Sequence, residues 1–121
     1  MISATECTPV VSFDAGTGKL SLRGKSYDED TVKFYQPLFN WLDEYTKSPQ
    51  PKNDIDIELV YFNSASQKCL YMLISKLADL KKQGKDVTIN WYFKKEDDEM
   101  KETGEEFSDL LSVPFIFKEI D

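Results

Sequence analysis

The chain reads as an α/β fold on a mixed sheet, in the order β-β-α-β-α-β-α-β. Ile55, Ile57, Leu59 and Tyr61 alternate with Asp56, Glu58, Val60 and Phe62, the period of a strand. Leu70, Leu73, Ile74 and Leu77 then recur at helical spacing. Val87, Ile89, Trp91 and Phe93 alternate again. Strand, helix and strand in succession predict a parallel pair joined by a right-handed crossover.

The other elements are read in chain order. Val10, Val11 and Phe13 predict a first strand, and Leu20 and Leu22 alternate with Ser21 and Arg23 in a second. Asp14-Ala15-Gly16-Thr17-Gly18 between them reads as a hairpin loop in which glycine supplies positive φ. Ser26-Tyr27-Asp28-Glu29 fits a capping box, with Asp30 an alternative N-cap. Val32, Tyr35, Leu38, Phe39 and Leu42 then form one helical face. Pro37 falls inside that pattern, so the helix either kinks there or begins near it. Ser48-Pro49-Gln50-Pro51-Lys52-Asn53 is a breaker-rich connection. Gly84, just after Lys81 and Lys82, has the character of a residue that ends a helix. Glu96 to Glu106 is strongly acidic, and Phe107, Leu110 and Leu111 give the following helix an apolar face that develops late. Val113 to Phe117 is the last strand, with Pro114 at its start or on an edge.

Asp56, Glu58, Thr88 and Asn90 on the middle strands argue against a sheet covered on both faces. Helices are therefore expected mainly on one face. The 121 residues fit one domain, residues 1–121, large enough to bury a core without staples.

Charge and cysteine usage narrow the function. A net charge of −7 argues against nucleic acid and against an anionic membrane surface, because both need clustered Lys and Arg. It suits a partner that carries a basic patch. The two cysteines, Cys7 and Cys69, form no CxxC, and Cys69 is expected as a buried thiol on its helix. No disulfide framework is implied, so the expected compartment is the reducing cytoplasm. Met1 to Glu6 lacks the basic and apolar regions of a signal peptide, and no stretch approaches the length of a membrane span.

The absence of histidine removes Ser-His-Asp and Cys-His pairs and the usual zinc sites. Gly16-Thr17-Gly18-Lys19 does not satisfy GxxxxGK[ST]. Glu96-Asp97-Asp98-Glu99, with Glu102, Glu105 and Glu106, matches no calcium loop and reads as a solvated helix face. Trp41, Trp91, Tyr92 and Phe93 read as core or partner contact ahead of ligand stacking. No catalytic residue, cofactor or metal is expected.

What remains is the polar corner Asn63-Ser64-Ala65-Ser66, where a strand ends and a helix begins. Ser64 and Ser66 both suit an N-cap. A hydroxyl there is also well placed to accept phosphate, which adds about −1.5 to −2 charge. The helix dipole and the free N–H groups tolerate that anion, so a switch at this corner need not melt the fold.

One set of residues is spread along the chain: Thr8-Pro9, Ser12-Phe13-Asp14, Gly24-Lys25-Ser26-Tyr27, Phe34-Tyr35-Gln36-Pro37-Leu38 and Trp41-Leu42. It continues with Tyr61-Phe62-Asn63-Ser64, Ser66-Gln67-Lys68-Cys69, Asn90-Trp91-Tyr92, Glu96-Asp97-Asp98-Glu99-Met100, Gly104-Glu105 and Pro114-Phe115. Taken together and in this order, these residues resemble the SiaC-type regulators, bacterial proteins with a fold similar to anti-sigma-factor antagonists (STAS-like). The resemblance implies a non-enzymatic phospho-switch. A serine/threonine kinase modifies the hydroxyl after the asparagine, and a PP2C-type phosphatase reverses it. The unmodified form binds and activates a diguanylate cyclase, controlling cyclic-di-GMP and biofilm formation. Ser64 is then the acceptor and Ser66 the second candidate. The family pattern often has threonine followed by two serines, where this chain has Ser64, Ala65 and Ser66. Asn63, Gln67, Lys68 and Tyr71 are the expected partner-binding residues. The alternatives are a partner switch of the anti-sigma-factor-antagonist type acting on another effector, a small ligand-sensing module, and a small enzyme with the acidic segment as a metal site.

Overall fold

The computed structural model describes residues 8–27 and 30–120. Strands β1 (Val10–Asp14), β2 (Lys19–Ser26), β3 (Lys52–Phe62), β4 (Asp86–Lys94) and β5 (Phe115–Ile120) form one sheet in that order. β1 pairs antiparallel with β2, and every later pair is parallel. Helices α1 (Thr31–Tyr45), α2 (Ser64–Lys82) and α3 (Asp98–Leu111) connect the parallel strands. Right-handed crossovers that step the same way across a sheet place their helices on one face. Alternation along the strands agrees with that arrangement. Leu20, Leu22, Ile55, Ile57, Leu59, Ile89, Trp91 and Phe115 are buried. On the opposite face Asn90 donates to Asp54 and Asp56, 2.8 Å to each.

Local chemistry sets the element ends. In the hairpin, Gly18 takes φ +74, and a Cβ there would meet the Lys52 carbonyl at 2.3 Å, so only glycine fits without strain. Asp30 caps α1 by accepting from the N–H of Lys33, whereas the expected capping box runs through residues 28 and 29, outside the described residues. α1 runs on through Pro37. α2 ends in a Schellman motif in which Gly84, at φ +88, donates to Lys81 and Lys85 donates to Leu80.

The structure corrects the expected pattern at several positions. Val32 is 62% exposed, because the buried stripe of α1 runs through Thr31, Tyr35, Leu38, Leu42 and Tyr45 and Val32 lies off its edge. Lys52 and Asn53 belong to β3, and Asn53 is buried, bonding Tyr45 and the carbonyls of Gln50 and Asp86. α3 begins at Asp98, earlier than its apolar residues suggest, with Asp97 accepting from the N–H of Met100. Its buried face is Met100, Gly104 and Phe107, and Leu110 is 61% exposed. β5 starts after Pro114.

Trp91 joins α3 to the sheet. It is fully buried and donates its Nε1–H to the Met100 carbonyl at 2.9 Å. A Cβ on Gly104 would lie 2.6 Å from that same nitrogen, so the helix approaches as closely as it does only because residue 104 has no side chain. Gly104→Ala is expected to destabilise the protein by about 1 to 3 kcal/mol through overpacking, although alanine favours helix. Urea denaturation followed by circular dichroism checks this, and an unchanged midpoint refutes it.

Candidate functional site

The corner that begins α2 is built from both sides. On the strand side, β3 carries an extra residue at Val60, since Gly24 pairs with Leu59 and Lys25 with Tyr61. The bulge breaks the alternation and re-aims the side chains beyond it. Tyr61, expected in the inward set, is 53% exposed and meets Tyr27 edge-on at 5.8 Å. On the helix side the N-cap is Asn63, where sequence reasoning proposed Ser64 or Ser66. Its side-chain oxygen accepts from the N–H of Ser66 at 2.8 Å, and its carbonyl accepts from Gln67 at 2.9 Å. Ser64 is then the first residue of the helix. Its N–H and that of Ala65 have no carbonyl to bond within the helix, which leaves the corner electropositive.

The two candidate hydroxyls lie in opposite environments. Ser64 is exposed. Ser66 is 0% exposed, and its Oγ accepts from Ser26 Oγ at 2.9 Å. Ser26 Oγ also bonds Tyr35 Oη at 2.8 Å, and the Ser26 carbonyl accepts from the N–H of Asn63 at 3.1 Å. Burial pushes the Tyr35 hydroxyl up to about 12, so it stays protonated at neutral pH. Cys69, one turn further along α2, is buried as expected, and desolvation raises its thiol while nearby Lys68 partly offsets the rise.

Ser64 stands on the rim of a shallow groove of about 350 Å³. Gln67, Lys68 and Tyr71 line it from α2, and Phe107 and Leu110 from α3. Tyr71 packs edge-on against Phe107 at 5.3 Å, and Phe107 in turn against Trp91 at 5.7 Å, so the floor is rigid. Thus three of the expected partner-binding residues share one surface with Ser64, while Asn63 serves the helix as its cap. Sequence reasoning missed Phe107 and Leu110 as members of this surface, reading both only as part of the late apolar face of α3. Only Phe107 is buried. An apolar residue one helical turn beyond the last core contact was the available signal.

A second cleft of about 300 Å³ opens on the other side of Gln67, lined by Tyr61, Asp97, Glu99, Glu102 and Glu106 among others. Among the described residues, no three His, Cys, Asp or Glu side chains converge as a metal site. Trp91 is sealed in the core and Phe93 is buried, so neither offers a ring to a ligand. Among the described residues, no helix is long and apolar enough to cross a membrane.

Comparison with known proteins agrees along the whole chain. Residues 2–120 match the family model described as "SiaC family regulatory phosphoprotein". The crystal structure of apo-SiaC from Pseudomonas aeruginosa superposes with a TM-score of 0.86 at 26% identity, over 97% of this chain and 95% of that one. The crystal structure of diguanylate cyclase SiaD in complex with its activator SiaC, also from Pseudomonas aeruginosa, gives 0.90 at 26% identity, over 98% of each chain. An uncharacterized protein of Pseudomonas aeruginosa (strain UCBPP-PA14) is 27% identical over 120 residues, 99% of this chain and 95% of that protein.

The corner makes two measurable differences. Asn63→Ala should lower stability by about 1 kcal/mol through loss of the cap, while Ser64→Ala, exposed and uninvolved in the cap, should change it by less than about 0.5 kcal/mol. Urea denaturation of both variants measures the contrast. Tyr35 sets a pH dependence. Its folded value of about 12 exceeds the ordinary 10.0, so its contribution is whole below pH 10 and is lost as pH rises through 12. The alkaline loss attributable to it is about 2 to 3 kcal/mol, and Tyr35→Phe should remove that part of the stability-versus-pH curve.

Proposed function

The chain belongs to the SiaC family of regulatory phosphoproteins, and on that premise we propose that it is a non-enzymatic switch whose phosphoacceptor is Ser64. The observation that carries the assignment is the contrast between two hydroxyls two residues apart. Ser64 is open to an enzyme at the first position of α2, and Ser66 is sealed in the interior. Ser66 is accordingly set aside as a second acceptor. A serine/threonine kinase adds the phosphate and a PP2C-type phosphatase removes it. Both act in the cytoplasm.

The effector in this reading is a diguanylate cyclase, bound and activated by the unmodified form, so that the switch sets cyclic-di-GMP output and biofilm formation. SiaC of Pseudomonas aeruginosa is the activator of the cyclase SiaD, which supports the choice. The docking surface is the groove of Gln67, Lys68, Tyr71, Phe107 and Leu110. An apolar side chain of the partner seated there is worth about 1.5 to 3 kcal/mol if fully buried. Basic partner residues suit the neighbouring acidic cleft.

Phosphate on Ser64 opposes that docking without unfolding the corner. It stands at a helix N-terminus, where the N–H groups of Ser64 and Ala65 favour an anion. Lys68 lies four residues on, so its ammonium meets the phosphate on the same helical face. The dianion and its lysine then occupy the groove rim, and burying them against an apolar partner is costly.

The test is phosphate transfer from ATP with the cognate kinase, mapped by mass spectrometry, followed by calorimetric binding to the cyclase. Phosphate is expected on Ser64 alone, Ser64→Ala should take none, and modification should weaken cyclase binding at least about 100-fold, or 2.7 kcal/mol. Leu110→Ala should weaken binding about tenfold with the fold intact. Label on another residue rejects the acceptor, and equal affinity of both forms rejects the switch.

A further inference from the structure

Beneath the corner the interior holds three hydroxyls in contact. Tyr35 is 0% exposed, Ser26 3% and Ser66 0%, and they come from α1, β2 and α2 respectively. Their bonds have a direction. Ser26 Oγ gives its single proton to Ser66 Oγ at 2.9 Å, so in the 2.8 Å contact with Tyr35 it must accept, and Tyr35 Oη donates. The chain Tyr35→Ser26→Ser66 ends on the third residue of α2, whose own N–H is bonded by the Asn63 cap at 2.8 Å. The Ser26 carbonyl holds the N–H of Asn63 at 3.1 Å. One residue at the end of β2 therefore grips the corner on both sides of Ser64, through backbone at residue 63 and side chain at residue 66.

Stability alone does not account for such an arrangement. Well-packed apolar side chains in place of a buried polar network are often as stable or more so, whereas a satisfied network specifies one geometry. The geometry specified here is that of the first turn of α2. Ser64 makes none of these bonds, and the residues that do lie on either side of it.

We propose that Tyr35, Ser26 and Ser66 are positioning residues for the Ser64 hydroxyl: their buried hydrogen-bond chain holds the first turn of α2 so that Ser64 Oγ faces the modifying enzymes in one fixed orientation. This rests on the reading of Ser64 as acceptor. The three residues touch neither ATP nor the partner. They act through the backbone of residues 63 to 66.

Tyr35→Phe keeps the ring and removes only the donor, and Ser26→Ala breaks both hydroxyl contacts. Ile89→Val, which removes one methylene from the core of β4, serves as a control for general destabilisation. Amide hydrogen exchange on the full chain is the first readout. In both network variants the N–H groups of Ser66 and Gln67 should exchange at least about fivefold faster, with Leu73 and Ile74 within about twofold of wild type. In the control, all four should move together or not at all. The second readout is steady-state phosphorylation of Ser64 by the kinase. The network variants should lose about fivefold or more in kcat with KM within about twofold, because acceptor placement changes and the docking surface does not. The control should match wild type.

Uniform exchange across α2 in the network variants, or an unchanged kcat with the exchange effect present, overturns the proposal. If wild-type Ser64 takes no phosphate, the acceptor assignment falls. The exchange arm still decides whether the hydroxyl chain orders the corner.

Discussion

In a sheet whose strands lie in sequence order, with three consecutive parallel connections, the hand of the crossover leaves the helices a single face to occupy. The constraint also decides which ends meet. Each helix starts beyond the carboxyl end of the strand before it, so the starts of α2 and α3 come to one edge of the sheet. Ser64 comes directly after β3, and the acidic turn from Asp97 after β4. The groove between α2 and α3, with the corner on its rim, is therefore a product of topology before it is a product of particular side chains. Open α/β sheets place their sites at this edge as a rule.

Within that frame, the molecule separates its rigid parts from its adaptable ones. Trp91 pins α3 through the Met100 carbonyl and the bare Gly104 backbone. Asn63 and Ser26 pin the start of α2. The surface between these anchors carries Gln67, Lys68, Tyr71 and Leu110, none of which is buried. Exposed or half-buried side chains on a fixed floor can meet a partner without any rearrangement of backbone, and under the proposed switch a phosphate added among them would act by charge and solvation alone.

Much of this was legible in the sequence, for physical reasons. The period-2 alternation of Ile55, Ile57 and Leu59 against Asp56 and Glu58 reports a half-covered sheet directly, because each parity meets a different environment. Gly84 marked the end of α2 because a left-handed residue there has a steric requirement that composition reveals. The exposed Ser64 was legible from its place at a strand-to-helix junction. The cap itself was misassigned. Asn, Ser and Thr are near equals as caps, and only the tertiary tie from Ser26 to Asn63 and Ser66 selects among the candidates. Val32 and Leu110 misled for a related reason: periodicity reports which residues share a face, not whether a neighbour covers that face along its whole length. The bulge at Val60 and the buried amide of Asn53 depend on strands far away in sequence, and no local window contains that information.

The exposed methyl groups of Leu110 have an evolutionary reading. Because that side chain is mostly in solvent, its replacement leaves folding nearly alone and, if the groove is the docking surface, bears on recognition. Duplicated copies of such a protein are free to diverge in whom they answer to by rewriting a few outward positions, with the corner that begins α2 inherited unchanged. Insulation between parallel signalling circuits in one cell then becomes a matter of surface spelling, selected independently of the architecture beneath it.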